Sequence, residues 1–223
     1  MKRSDSRGGN KEINERLLGA KKEKIFSVSD IVLLVLIVVL LLFSVVQRVW
    51  LSPVLISGNS MNRTIDDGDW LLMDKLKKPT YGDVVVIEIS GEMNYIKRVI
   101  GLPGDTLFMK DNVVYRKKAG EGEKFEKLDE PYAYYSKPDS KLSFPAVTVE
   151  EGKIFFLGDN RCDSRDSRAI GQKSFEAVVG VVSEWAIRSR KTLSSYYGTV
   201  VKIDNFILSL FGKKQNTGGL LSD

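Results

Sequence analysis

From Ile31 to Val46 the chain is almost unbroken Ile, Leu, Val and Phe, with Ser44 the one interruption. As a helix this run covers about 24 Å, short of the ~30 Å hydrocarbon core of a bilayer. Continuing to Leu51, with Arg48 able to snorkel and Trp50 suited to the interface, reaches a spanning length. A core helix of a soluble protein would keep a polar face, and this run has none. A cleaved signal peptide would have a shorter apolar run, and no Ala-x-Ala site follows. The pattern predicts an uncleaved membrane-spanning helix over 30–51.

Beyond Pro53 the pattern changes to short apolar runs rich in β-branched residues. Val54 to Ile56, Trp70 to Met73, Val84 to Ile89, Tyr95 to Ile100, Lys153 to Leu157 and Val178 to Ile187 read as strands. Turn signals separate them: Asp67-Gly68-Asp69, Tyr81-Gly82-Asp83, Leu102-Pro103-Gly104-Asp105 and Leu157-Gly158-Asp159-Asn160. Asp83 and Asp105 read as turn residues. The expectation is a mostly β domain. Residues 111–151 differ, being rich in Lys, Glu, Gly and Tyr with three prolines at 131, 138 and 145. They read as a small inserted cap with a hairpin around Asp111-Asn112 and few strong strands. Val200 to Phe211 places apolar residues at near-helical spacing, a short amphipathic helix within the C-terminal segment 191–223. The expected layout is a basic tail over 1–29, the anchor over 30–51, a β-rich core from 52–110 and 152–190, the cap, and the C-terminal segment.

Composition narrows the chemistry. The chain has no histidine and one cysteine, Cys162. That excludes Ser-His-Asp and Cys-His catalysis, His-containing zinc sites, thiolate clusters and any internal disulfide. A hydrolase built on this chain must draw its base from Lys, Asp, Glu or a carboxylate-held metal. The net charge of +5 is concentrated at one end: Met1 to Lys24 carries eight Lys/Arg against four Asp/Glu. A basic tail beside an apolar span points to anionic lipid and topology rather than nucleic acid. Asp66, Asp67 and Asp69 crowd the other side of the span, so the positive-inside rule puts the N-terminus in the cytoplasm and the bulk of the chain outside.

Without histidine, a serine nucleophile needs a different neighbour, and a neutral lysine amine is the natural one. Free lysine titrates near 10.4, and bringing it to ~7–8 costs about 3–4 kcal/mol of ammonium stabilisation, which burial can supply. In Tyr95-Ile96-Lys97-Arg98-Val99-Ile100, strand alternation places Lys97 on one face with Tyr95 and Val99. Ser60 follows Gly58-Asn59. Taken singly, each reads as ordinary: most strand lysines are surface residues, and serine after Gly-Asn is usually a turn residue.

Three motifs in order behind one anchor change this weighting. They are Ser57-Gly58-Asn59-Ser60-Met61, then Lys97-Arg98-Val99-Ile100-Gly101-Leu102-Pro103-Gly104-Asp105, then Gly158-Asp159-Asn160-Arg161-Cys162-Asp163-Ser164-Arg165-Asp166-Ser167-Arg168. Together, from the anchor to about Trp185, the chain resembles the type I signal peptidases. The resemblance implies a β-rich catalytic core facing outward, with a smaller cap between the lysine and Gly-Asp-Asn-Arg motifs. It places Ser60 at the nucleophile, Lys97 at the general base and Ser164 at the serine that orients the lysine amine. Asp166 and Arg168 fall at a supporting ion pair, Gly58 at the oxyanion position, and Met61 beside the nucleophile in the cleft. Asp159, Asn160 and Arg161 are scaffold. It also implies a single-pass plasma-membrane enzyme that removes signal peptides from secretory preproteins, with the bilayer as partner, no nucleic acid, and no metal or organic cofactor.

The chain departs from the family pattern at three places. The family usually reads Ser-Met-x-Pro-Thr, and here Arg63 replaces the proline, reducing rigidity and adding charge at the rim. Gly58 stands where some members carry an oxyanion hydroxyl, leaving the Ser60 N–H as donor, with Asn59 or Ser57 as conceivable substitutes. Cys162 stands where an acidic residue is common. Two alternatives remain at this level: a self-cleaving repressor, disfavoured by the membrane anchor, and a non-enzymatic membrane-tethered β-domain acting as receptor or assembly factor.

Overall fold

The computed structural model describes residues 27–91, 93–137 and 139–210. The basic tail before Ser27 and the segment after Leu210 lie outside the described residues, as do the side chains of Arg48, Phe206, Ile207 and Leu210. The chain divides into two units at Val46/Gln47.

Helix α1, Val28–Trp50, begins two residues before the expected span and hands over directly to a strand. Its first turn contains Asp30, which accepts the Ser27 N–H at 2.8 Å and puts a negative charge at the helix N-terminus. Val28–Val46 has a mean hydropathy of 3.0 and is wholly unburied by protein. It is the one helix among the described residues long and apolar enough to cross a membrane. Leucines and valines exposed all round a helix need a non-aqueous solvent.

In the second unit the chain builds two antiparallel sheets. The larger comprises β1 (Leu51–Leu55), β2 (Trp70–Asp74), β3 (Val84–Ser90), β4 (Met93–Gly101), β9 (Lys153–Leu157), β10 (Lys173–Ser174) and β11 (Val178–Val182). Its strand order is β1-β2-β11-β3-β4-β9-β10. The smaller comprises β5 (Thr106–Lys110), β6 (Val113–Lys117), β7 (Glu126–Lys127) and β8 (Phe144–Thr148), in the order β7-β6-β5-β8. The inserted segment therefore holds three strands where few were expected, and the sheet recruits β5 from before residue 111. Asp111 and Asn112 form the β5–β6 turn with φ +48° and +70°, which matches the right-handed twist of a two-residue hairpin. Ile100, Leu107, Met109, Val114, Val149, Phe155 and Leu157 form one apolar cluster, so the small sheet shares its core with β4 and β9.

The apolar run from Val178 to Ile187 does not continue as one strand. The chain leaves β11 at Ser183 and turns into helix α3, Glu184–Arg188, which follows the short helix α2, Ser167–Ile170. Ser183-Glu184 is a helix-start signal, and Ala186 and Ile187 bury against Val54, Ile65 and Leu71. Helix α4, Arg190–Leu210, is much longer than the expected Val200–Phe211. Its first half is fixed by tertiary contacts: Tyr197 stacks on Trp70 at 5.4 Å, and Ser194 Oγ accepts the Trp70 N–H at 2.8 Å.

Candidate active site

Strand β4 delivers the lysine. Paired to β3 on one side and β9 on the other, it is a central strand, and Lys97 on it is only 1 % exposed. The serine arrives on a turn after β1. The Thr64 and Ile65 N–H groups donate to the Met61 carbonyl at 3.1 and 2.9 Å, curling Ser60 inward until it too is 1 % exposed. Lys97 Nζ lies 2.6 Å from Ser60 Oγ and 2.9 Å from the Ile96 carbonyl oxygen. The Tyr95 ring centroid, on the same strand face, is 5.0 Å from the amine. Residues 37 apart in sequence are thus in hydrogen-bond contact in a place shielded from bulk water.

The Gly-Asp-Asn-Arg segment braces both. Asn160 N–H donates to the Ser60 carbonyl at 2.9 Å, and Asn160 Nδ2 to the Asn59 carbonyl at 3.2 Å. Asp159, fully buried, accepts from Arg98 Nε and Nη2 at 2.8 and 2.6 Å and from Thr64 Oγ1 at 2.6 Å. One carboxylate therefore ties the turn bearing Ser60 to the residue after Lys97. Arg98 also donates to the Gly82 carbonyl and lies 4.0 Å over the Tyr132 ring. Arg161 reaches the inserted segment, pairing both Nη atoms with Glu130 at 3.0 and 2.8 Å. Burial lowers the affinity of these guanidinium groups for their protons, but the carboxylates of Asp159 and Glu130 outweigh it, so both stay charged. Arg98, Tyr132 and Glu130 were not singled out in the sequence. For Arg98 the signal was available: a second cation inside an apolar strand needs a buried anion.

Asp166 caps α2, accepting the Arg168 N–H, and also takes Arg168 Nε and Nη2 at 2.8 and 2.7 Å. Its Oδ2 accepts the Gly158 N–H at 3.0 Å, so the pair reaches the segment that holds Ser60. Ser164 was expected to orient the Lys97 amine, but its Oγ is buried with no hydrogen-bond partner among the described residues, so no such bond is formed. It packs against Gly158, where an added Cβ would lie 2.6 Å from Ser164 Cβ and 2.7 Å from the Ser60 carbonyl oxygen. Gly158→Ala is expected to push the backbone of Ser60, lowering kcat/KM by about 100-fold. Steady-state kinetics alongside a thermal melt would check this.

Two of the residues expected at the cleft sit differently. Gly58, at φ +101°, already donates its N–H to Asp67 Oδ1 at 2.8 Å, so that amide is not available to an oxyanion. Met61 is 1 % exposed and packs in the core with Val54, Ile65 and Leu71, where its Sδ accepts the Asp159 N–H. It supports the turn from below instead of lining a cleft, because the turn that swings Ser60 toward Lys97 points the next side chain into the core. Arg63 is exposed with φ +76°, a backbone that proline cannot adopt, since its ring holds φ near −65°. Cys162, half-buried, lies 3.1 Å from Ser140 Oγ. Among the described residues no group of three or more Asp, Glu or Cys side chains is arranged to hold a metal ion.

Residues 28–186 match the family model described as signal peptidase, peptidase S26. Signal peptidase I U of Bacillus subtilis (strain 168) is 33 % identical over 183 residues, covering 77 % of this chain and 93 % of that protein. Signal peptidase IB of Staphylococcus aureus (strain N315) is 31 % identical over 158 residues, covering 62 % and 79 %. The solved signal peptidase I of Enterococcus faecalis V583 is 29 % identical, with a TM-score of 0.38 over 48 % of this chain and 98 % of that one. A span-length apolar helix ahead of such a domain makes the protein membrane-associated. The chain belongs to the signal peptidase family, peptidase S26, whose members are serine endopeptidases that remove signal peptides.

Proposed function

We propose that Ser60 is the nucleophile and Lys97 the general base in the removal of signal peptides from secretory preproteins. The observation that carries this is the 2.6 Å approach of Lys97 Nζ to Ser60 Oγ at a site where both side chains are buried. Withdrawal from water disfavours the charged form of a buried lysine, and the neutral amine is the form that can take a proton. Ser60 Oγ attacks the carbonyl carbon of the last signal-peptide residue while Lys97 takes the Oγ proton. The intermediate then collapses, its C–N bond breaks, and the proton passes to the departing amine. Lys97 next takes a proton from water, which attacks the ester and frees Ser60. Among the described residues the Ser60 N–H has no acceptor, which leaves it as the oxyanion donor that Gly58 is not. Ser164 contributes by filling the space beside Gly158 and the Ser60 carbonyl. Because Ser60 Oγ is enclosed, an extended substrate must displace neighbouring side chains to reach it.

In this reading α1 crosses the plasma membrane once with its N-terminus in the cytoplasm, keeping the enzyme at the surface where signal peptides end. Incubating the full-length protein in vesicles with a secretory precursor tests the reaction: one cut at the signal-peptide junction supports it, and an intact precursor removes it. The rate should climb with pH from neutrality, since only the unprotonated amine serves. Tyr81 bounds the range above. Burial, and then its hydrogen bond to Asp105, raise its phenol from 10.0 to about 12. Its neutral form stabilises the fold fully below pH 10 and ceases to do so as pH rises through about 12. A pH–rate profile is therefore read below pH 10, with a melt at each point to separate catalysis from unfolding. A rate maximum at acidic pH would point to a carboxylate base instead.

A further inference from the structure

Three residues past Ser60 the backbone enters a conformation that residues with side chains avoid. Arg63 has φ +76°, the left-handed region where a Cβ crowds the neighbouring carbonyl and glycine is the usual occupant. It closes the turn whose Thr64 and Ile65 N–H groups bond the Met61 carbonyl, a place where a helical turn commonly ends on glycine. Arginine is strained there and glycine would not be, so whatever offsets the strain must come from the side chain. Its guanidinium carbon lies over the Tyr134 ring, 3.9 Å from the centroid, a cation–π contact. Among the described residues Arg63 has no ion pair, so the ring is its contact of note.

Tyr134 is well placed to be an anchor. It lies in the inserted segment, yet its N–H donates to the Asp159 carbonyl at 2.7 Å and its carbonyl accepts the Arg161 N–H at 2.8 Å. Between those two residues, Asn160 holds the Ser60 carbonyl. The turn bearing Ser60 is thus held on its inner side by Thr64 Oγ1 on Asp159, and on its outer side by Arg63 on Tyr134.

We propose that the Arg63–Tyr134 stack is a positioning device that fixes the Ser60 turn against the inserted segment, keeping Oγ beside Lys97. It takes over the stiffening that a proline supplies where the backbone is different. The proposal rests on the Ser60–Lys97 reading for its effect on rate, but not for its effect on the turn.

The test uses the full-length chain and two readouts, cleavage kinetics on a precursor and hydrogen exchange at the Ile65 amide. Arg63→Gly relieves the left-handed strain, so the melting midpoint should hold or rise. Its kcat should nevertheless fall about tenfold with KM within about twofold, and Ile65 exchange should quicken. Tyr134→Ala should do the same, while Tyr134→Phe, which keeps the ring, should recover most of the rate. Arg63→Lys keeps the charge but not the flat face, and should behave like Arg63→Gly. The double variant Arg63→Gly/Tyr134→Ala should be no worse than either single. Undiminished kcat in Arg63→Gly, a change confined to KM, or additive losses in the double variant would overturn the proposal. If the wild-type chain cuts no precursor while Ile65 exchange still responds to both residues non-additively, the stack stands and the peptidase reading falls.

Discussion

Lys97→Met is expected to give a folded protein whose kcat on a secretory precursor is lower by about 10⁴-fold. Methionine fills much the same volume, and Lys97 sits 1 % exposed in a central strand, so the packing survives. Removing a buried amine also removes its desolvation cost, and the melting midpoint should stay level or rise. What is lost is the amine 2.6 Å from Ser60 Oγ, the proposed proton acceptor. Lys97→Arg should fail equally despite keeping the charge, because a guanidinium does not deprotonate at usable pH. Ser60→Ala should match both, and combining it with Lys97→Met should add little, since the two groups act as one unit. Steady-state kinetics with a melt on each variant separates this from simple unfolding. Substantial cleavage by Lys97→Met would mean another base is at work.

Asp159→Ala is expected to cost about 3–5 kcal/mol of stability and, with it, most of the activity. The carboxylate is fully buried and accepts three side-chain hydrogen bonds, from Arg98 Nε, Arg98 Nη2 and Thr64 Oγ1. Its removal strands a guanidinium that is 6 % exposed, leaving it the Gly82 carbonyl and the Tyr132 ring as close contacts among the described residues. For a domain of this size the melting midpoint should fall by roughly 6–20 °C. The loss should be partly recovered in Asp159→Leu/Arg98→Met, which removes both charges together. Recovered stability without recovered rate would separate holding the fold from holding the Ser60 turn. Equal melts for Asp159→Ala and wild type would show that the ion pair does not brace the site.

The β architecture was legible because the strands around the site alternate or run apolar between Gly-Asp turns. Lys153–Leu157 was placed to the residue, and Val84, Trp70 and Val178 opened their strands as expected. Where the reading failed, tertiary packing decided. The small sheet is made of strands such as Val113–Lys117, in which Arg116 and Lys117 are half-buried and only Val114 is fully buried, so its apolar signal is thin. Helix α4 begins in Arg190-Lys191-Thr192-Leu193, too polar to show a stripe, and is held by Tyr197 on Trp70. The end of β11 was missed because Trp185-Ala186-Ile187 is apolar in either conformation.

At the site, residue types and order singled out Ser60 and Lys97, which the structure brings within 2.6 Å of each other, but said nothing of their neighbours' orientations. Nothing in Ser-Met says that the methionine points down into the core, and nothing in Gly58 says that its N–H is taken by Asp67. The left-handed backbone at Arg63 is likewise invisible in a residue that seldom adopts it.

The mass of the full-length protein, quenched in acid while it turns over a precursor, tests the central claim most directly. The account predicts a fraction of chains heavier by the mass of the signal peptide, with the ester mapping to Ser60 and no such species in Ser60→Ala or Lys97→Met. An adduct on any other residue, or precursor cleavage that continues in Ser60→Ala, would contradict it.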